Sequence, residues 1–183
     1  VYHKVTLKHL PSKTRRDENE RSVLAKNGEQ AVVCMLQGNL FFGTTDQLFT
    51  QLEADIRSCK YLLFDLRRVR SIDYTAVHLF EQIHSQLGER GGTLMFSDIP
   101  SVELAQHQFQ KYLEELGLLK DGNGVIVWDT LDEGLEWMEE QILDDSGIVR
   151  IHEDHLLDLH NFSLFREFDD ATRARAARCI EYE

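Results

Sequence analysis

The stretch Tyr61–Phe80 constrains the fold more than any other, because its hydrophobic period changes midway. Tyr61 to Leu66 is an apolar run interrupted only by Asp65, the pattern of a strand covered on both faces. Further on, Ala76, Phe80, Ile83 and Leu87 recur at helical spacing and line one face of an α-helix. Asp73 stands where an N-cap belongs, placed to accept from the backbone N–H of Thr75 or Ala76. A buried strand, a polar loop and a capped helix start present a hydroxyl and free N–H groups at one spot.

The same alternation recurs along the chain. Val5 and Leu7 give Tyr2–Leu10 a strand pattern, which Pro11-Ser12 breaks. Lys13–Asn27 is almost wholly charged and fits either a surface helix or a mobile connection. Ala31–Leu36 reads as a buried strand, after which Gly38-Asn39 turns into a short run, Leu40–Phe42. Thr44-Thr45-Asp46-Gln47 has capping-box spacing and opens a helix through Leu48, Leu52 and Ile56, ending near Cys59. Gly88 ends the helix that follows Asp73.

Thr93–Phe96 is a further strand, followed by a helix with Val102, Ala105, Phe109, Tyr112 and Leu116 on one face. After the strand Val125–Trp128, Thr130–Glu133 forms a second capping box, and its helix carries Leu131, Leu135, Met138 and Ile142. Strands alternating with helices predict an α/β mixed sheet of four to five strands packed with about four helices. The first strands, joined by too little chain for a crossover helix, are expected to be antiparallel. The sheet domain is expected over 1–146, with 1–30 its first strand and charged connection. An acidic linker and C-terminal helical extension occupy 147–183.

A chain of 183 residues, 42% hydrophobic, can bury a sizeable core. Its net charge of −12 argues against nucleic acid and against adsorption to anionic lipid. Glu139, Glu140, Asp144, Asp145, Glu153, Asp154 and Asp158 concentrate the acidity late in the sequence and read as a solvated surface. No apolar run approaches the ~18 residues of a membrane span, so no direct membrane insertion is expected. The chain opens on Val1 rather than methionine and reads as a soluble piece of something longer. Cys34, Cys59 and Cys179 are odd in number and widely spaced, which fits a reducing compartment.

Catalytic chemistry is not expected. Thr75 is the one hydroxyl in a telling position, and His78, three residues on, is a helical neighbour rather than the base of a triad. His152-Glu153-Asp154-His155, with His160, lacks the spacing of zinc enzymes, so no metal is expected. Gly122-Asn123-Gly124 precedes a strand instead of opening a helix and reads as a turn, not a phosphate cradle, so no cofactor is expected. Arg67, Arg68, Arg70, Ser71, Asp73 and Tyr74 cluster on the connection before the helix. That loop is a candidate contact site for an acidic partner, or for a phosphate on Thr75.

Ile72-Asp73-Tyr74-Thr75-Ala76, preceded by Leu63-Phe64-Asp65-Leu66, resembles the Asp-Ser-Ser-Gly signature of STAS domains. That family comprises the cytosolic tails of sulfate-permease (SulP) anion transporters and the antagonists of bacterial anti-sigma factors. Gly38-Asn39-Leu40-Phe41-Phe42 is similar to the segment that leads into the first helix of the transporter branch. The resemblance implies the anti-sigma-antagonist-like fold and a non-catalytic regulatory, protein-interaction role.

Its first implied setting is the cytoplasmic domain of a bacterial inner-membrane SulP transporter of sulfate or a related anion. The partners implied are a transmembrane transport domain upstream in the same chain, a cytosolic protein at the Thr75 loop, and a second copy in a homodimer. The alternative is a soluble phospho-switch binding a kinase-like partner. Thr75 falls on the phosphate-accepting serine of the antagonists, with Tyr74 at the first serine and Ala76 at the glycine. Residues 155–183, with Leu156, Leu157, Phe162, Phe165 and Phe168 before an alanine-rich stretch, resemble the leading helices of a cyclic-nucleotide-binding domain. The other reading is an amphipathic helix packing back on the sheet domain.

Overall fold

The computed structural model describes residues 2–99, 109, 111–115, 117–118 and 125–147. The expectations placed beyond Gly147, including the cyclic-nucleotide-binding-like segment, lie outside the described residues, as do those for Val102, Ala105 and Leu116. Five strands form one sheet in sequence order: β1 (Tyr2–Thr6), β2 (Ala31–Leu40), β3 (Tyr61–Ile72), β4 (Thr93–Ser97) and β5 (Val125–Trp128). β1 runs antiparallel to β2, and every later pair is parallel. The chain between β1 and β2 does hold a helix, so its brevity is not what reverses the direction.

The helices are α1 (Glu18–Asn27), α2 (Phe42–Ser58), α3 (Tyr74–Gly88) and α4 (Leu131–Asp145), with further helical residues at 109 and 111–115. Successive crossovers step in one direction across the sheet, so a constant right hand puts their helices on one face. Leu62 and Phe64 of β3 pack on that face against Leu52 and Ile56 of α2 and Phe80 and Ile83 of α3. Phe109 and Leu113 complete it, and the Phe64 ring stands 5.1 Å from Phe80 and 5.9 Å from Phe96.

Tyr61 and Leu63 point the other way, onto Leu135, Met138 and Ile142 of α4, with half-buried Val23 and Leu24 of α1 at the margin. Cover on both sides is why β3 begins as an unbroken apolar run. α4 lies so close that a Cβ on Gly134 would come within 2.8 Å of Leu63 Cδ2. Thr130 and Glu133 make the expected capping box at its start: the Glu133 N–H reaches Thr130 Oγ1 at 3.3 Å and the Thr130 N–H reaches Glu133 Oε2 at 3.0 Å.

Three expectations need correcting, and one open choice is decided. Gly38-Asn39 is not a turn. β2 continues through it to Leu40, with Gly38 (φ 88°) beside a register shift against β3. β3 does not stop at Leu66 but runs to Ile72, so the expected polar loop is largely strand. α2 starts at Phe42, ahead of the Thr44–Gln47 box, and the Thr44 hydroxyl accepts the Phe41 N–H at 3.0 Å instead. Of the two readings open for Lys13–Asn27, the surface helix is the one that forms: a short strap leads into α1, whose N-cap Asp17 exchanges side-chain bonds with Glu20 (2.8 and 3.0 Å).

The late acidic run is not merely a solvated face either. Glu139 is 1% exposed. It accepts from the Ser12 N–H at 2.7 Å, the Ser12 hydroxyl at 2.6 Å and Arg16 Nε at 3.0 Å. Arg16 also bonds Glu140, and Asp145 bonds Lys60.

Candidate functional site

The sequence-predicted residues gather where the parallel strands end, the edge at which α/β sheets present their loops. β3 gains two residues on β2 over a short distance: Met35 lies opposite Asp65 but Gln37 opposite Arg68, and Gly38 opposite Val69 but Asn39 opposite Ser71. Each extra residue is a β-bulge, which breaks strict alternation and re-aims the side chains around it. The parity change is visible in the core, since Leu66 and Val69 both pack on the same face. Arg67, Arg68 and Arg70 are thrown outward as a result.

Asp65 and Asp98 hold this geometry. The buried Asp65 accepts the Arg67 N–H at 2.9 Å, satisfying a backbone donor that the bulge removes from the ladder. Burial raises the Asp65 carboxyl above its usual range, with that N–H opposing the rise and nearby Asp98 adding to it. The Arg67 guanidinium grips Asp98 with two bonds of 3.1 and 3.0 Å, while Asp98 also accepts the Leu131 N–H at the start of α4, at 2.7 Å. That fork, in turn, raises the Arg67 pKa.

Arg68 and Arg70 are exposed and pair with no carboxylate among the described residues. Together with Arg67, Val69, Gln37 and Gly38 they line an open depression of about 640 Å³. The three arginines therefore divide into one that fixes the strand end and two whose charge faces outward.

α3 begins beside them. Asp73 donates its N–H to Leu40 O (3.0 Å), tying the helix start to the end of β2. Its Oδ1 accepts from the Ala76 N–H at 2.8 Å, the expected cap, and from the Thr75 hydroxyl at 2.6 Å. Thr75 is exposed, while Ala76 and Val77 turn into the core. Tyr74, 42% exposed, sits edge-on to His78 (4.6 Å) and Tyr112 (5.3 Å). His78 pairs with Glu81 at 2.9 Å, so its ring is engaged by a carboxylate on its own helix.

The structure thus brings Arg68, Arg70, Ser71, Asp73, Tyr74 and Thr75 to one edge, but as a strand end and a helix start rather than as a loop. Phe41, 50% exposed at the N-cap of α2, belongs to the same edge and was not anticipated. Only its place in the Leu40-Phe41-Phe42 run hinted at it. Neither described cysteine offers a reactive thiolate: burial pushes Cys59 up to about 11 and Cys34 higher still. Among the described residues no His, Cys, Asp and Glu cluster has the form of a metal site.

Residues 22–133 match the family model described as the STAS domain. That stretch contains the sheet from β2 to β5, with α2, α3 and the bulged strand end, and the chain belongs to the STAS family. Two full-length relatives are similar to it. Glutaminase 1 of Bradyrhizobium diazoefficiens is 25% identical over 144 residues, 78% of this chain and 22% of that protein. The vacuolar basic amino acid transporter VSB1 of Saccharomyces cerevisiae is 30% identical over 139 residues, 70% of this chain and 13% of that protein. The chain therefore spans less than a quarter of the length of either. Among solved structures, the SulP transporter STAS domain from Vibrio cholerae aligns with a TM-score of 0.48 and 20% identity, over 69% of this chain and 99% of that one. No helix among the described residues is long and apolar enough to cross a membrane.

Proposed function

We propose that this STAS domain is a non-catalytic regulatory and protein-interaction module of a SulP-type secondary transporter of sulfate or a related anion. In this reading it lies on the cytoplasmic side of an inner membrane, attached to a transmembrane transport domain of the same chain. The observation that carries the interaction role is the edge where β3 ends. There two outward arginines that pair with no carboxylate among the described residues, Arg68 and Arg70, stand beside exposed Phe41, Tyr74 and Thr75. Aromatic and arginine side chains at one edge are the composition of protein contact sites.

The likeness to a vacuolar transporter supports a transporter parent. That relative is named for basic amino acids, so the anionic cargo rests on the sequence resemblance alone. Phosphorylation of Thr75 would set a dianion beside Asp73, 2.6 Å from its hydroxyl, and beside the positive end of α3. It would draw the outward arginines while loosening the cap.

The likeness to Glutaminase 1 favours a second parent, in which the same module is joined to a glutaminase. The role of the contact edge is unchanged there; only the effector differs. The parent reading frame separates the two: about a dozen apolar segments of ~20 residues before Val1 support the transporter, and a globular enzyme domain supports the other. The interaction role is tested by capture of partners from the native cytosol with the wild-type chain and with Arg68→Glu/Arg70→Glu. Equal capture by both removes the edge from the proposal. Phosphate found on Thr75 in a chain with no attached effector would favour the soluble phospho-switch instead.

A further inference from the structure

A second feature lies on the other side of the sheet and owes nothing to the contact edge. Between the strap that follows β1 and helix α1 there is a cleft of about 460 Å³, within the size range of small-ligand sites. Its floor is apolar, formed by Leu7, Pro11 and Leu24. Its rim is basic: Lys13, Arg15 and Arg21 are exposed and form no ion pair among the described residues. On a chain of net charge −12 this is an isolated positive patch over apolar ground.

The wall adds an independent sign. Arg16 lines the cleft, its side chain is 8% exposed, and one terminal nitrogen, Nη2, is buried with no hydrogen-bond partner among the described residues. Its ion pairs, to Glu20, Glu139 and Glu140, involve Nε and Nη1. Among the described residues Glu139 is the one carboxylate lining the cleft, and it already accepts three bonds from Ser12 and Arg16. A buried guanidinium nitrogen without an acceptor costs stability; Nη2 is closed to solvent here, so an acid oxygen reaches it only by a small displacement of the strap.

We infer that the cleft between the 11–16 strap and α1 binds a small organic acid: a carboxylate or phosphate head with a short aliphatic body. The head meets Arg16 and the basic rim, where guanidinium groups favour planar, two-point pairing with acids. The body covers Leu7 and Leu24. Because the strap forms one wall and Arg21 and Leu24 of α1 the other, the bound acid bridges the two and slows opening of the strap.

The test is calorimetric titration of the 183-residue chain with octanoate and octyl phosphate. Acetate and inorganic phosphate supply the head alone, 1-octanol the body alone, and octyltrimethylammonium the wrong charge. At least one of the two acids should bind at one site per chain, about tenfold or more tighter than every control, a gap of ~1.4 kcal/mol. Arg15→Gln/Arg21→Gln should weaken it about tenfold or more. Lys13→Gln, whose described bond is made by its backbone N–H, should weaken it with the fold untouched, as near-ultraviolet circular dichroism will report. Amide exchange of residues 11–16 should slow when the acid is bound. The inference fails if neither acid saturates a site, if the cationic analogue binds as well, or if all the variants bind like the parent. Sedimentation with phosphatidylglycerol vesicles, reversed by the same variants, would give the cleft to lipid and overturn the soluble acid.

Discussion

Arg16 and Arg70 sit on one acidic protein in opposite circumstances. Arg16 is enclosed between the strap and α4, bonded to Glu139 and Glu140. Arg70 stands on a bulged strand end in solvent with no carboxylate beside it among the described residues. The difference teaches where this chain spends its scarce positive charge. A buried arginine must be matched, because taking an unpaired charge out of water costs several kcal/mol; an exposed one remains available to something else. The clasp is thus a feature of stability, and the strand end is open to recognition.

The sharpest way to break that contrast is Glu139→Ala. It strands Arg16 and Ser12 without their acceptor and should cost about 3–5 kcal/mol, read as a lower urea midpoint. A coincident midpoint would mean the clasp contributes nothing. Replacing both partners, Glu139→Leu with Arg16→Met, should recover the part of that loss due to Arg16, since an apolar pair of similar volume carries no desolvation cost, while Ser12 still lacks its acceptor.

A smaller effect is expected from Asp65. Burial raises its carboxyl above the ordinary 3.8, so the folded chain holds that proton more tightly than the unfolded one. The stability this contributes is complete below pH 3.8 and is lost as pH climbs through the raised value. Asp65→Asn keeps an acceptor for the Arg67 N–H and should flatten the fall in stability as pH rises above 3.8. A variant with the slope of the parent would clear Asp65 of any part in it.

Thr75→Glu comes next. Its carboxylate gains from the positive helix end and loses to Asp73, so thermal melts should place the change under about 1 kcal/mol. Unfolding would mean Thr75 is core. The least change in stability, within about 0.5 kcal/mol, belongs to Arg68→Glu/Arg70→Glu. If that variant melts several degrees lower, the strand end is structural after all and the contrast with Arg16 collapses.

What the sequence made legible follows the same division. The apolar core of β3 and the inward face of α3 could be read because burial on both sides leaves continuous or helical apolar patterns. The Asp73 cap and the Thr130 box were local, three residues from donor to acceptor. The bulges were not legible, because register is a relation between β2 and β3 that neither strand carries alone. Nor was the clasp, whose partners lie 123 residues apart. Glu139 looked like any other acid in a charged run, since nothing local marks which one turns inward. The start of α2 was misplaced because Phe41 offers no capping side chain to signal it.

Asp98 carries a consequence for how this sequence can change over generations. Its φ of 51° is a conformation open chiefly to glycine, asparagine and aspartate. Glycine would relieve the backbone yet abandon both Arg67 and the Leu131 N–H; asparagine would keep one oxygen for two clients. Drift at position 98 is therefore narrow, and each departure from aspartate weakens or removes the tether on Arg67. A lineage that loses Asp98 adds a third outward arginine to the two already there, enlarging the basic edge by altering a residue that is not basic at all.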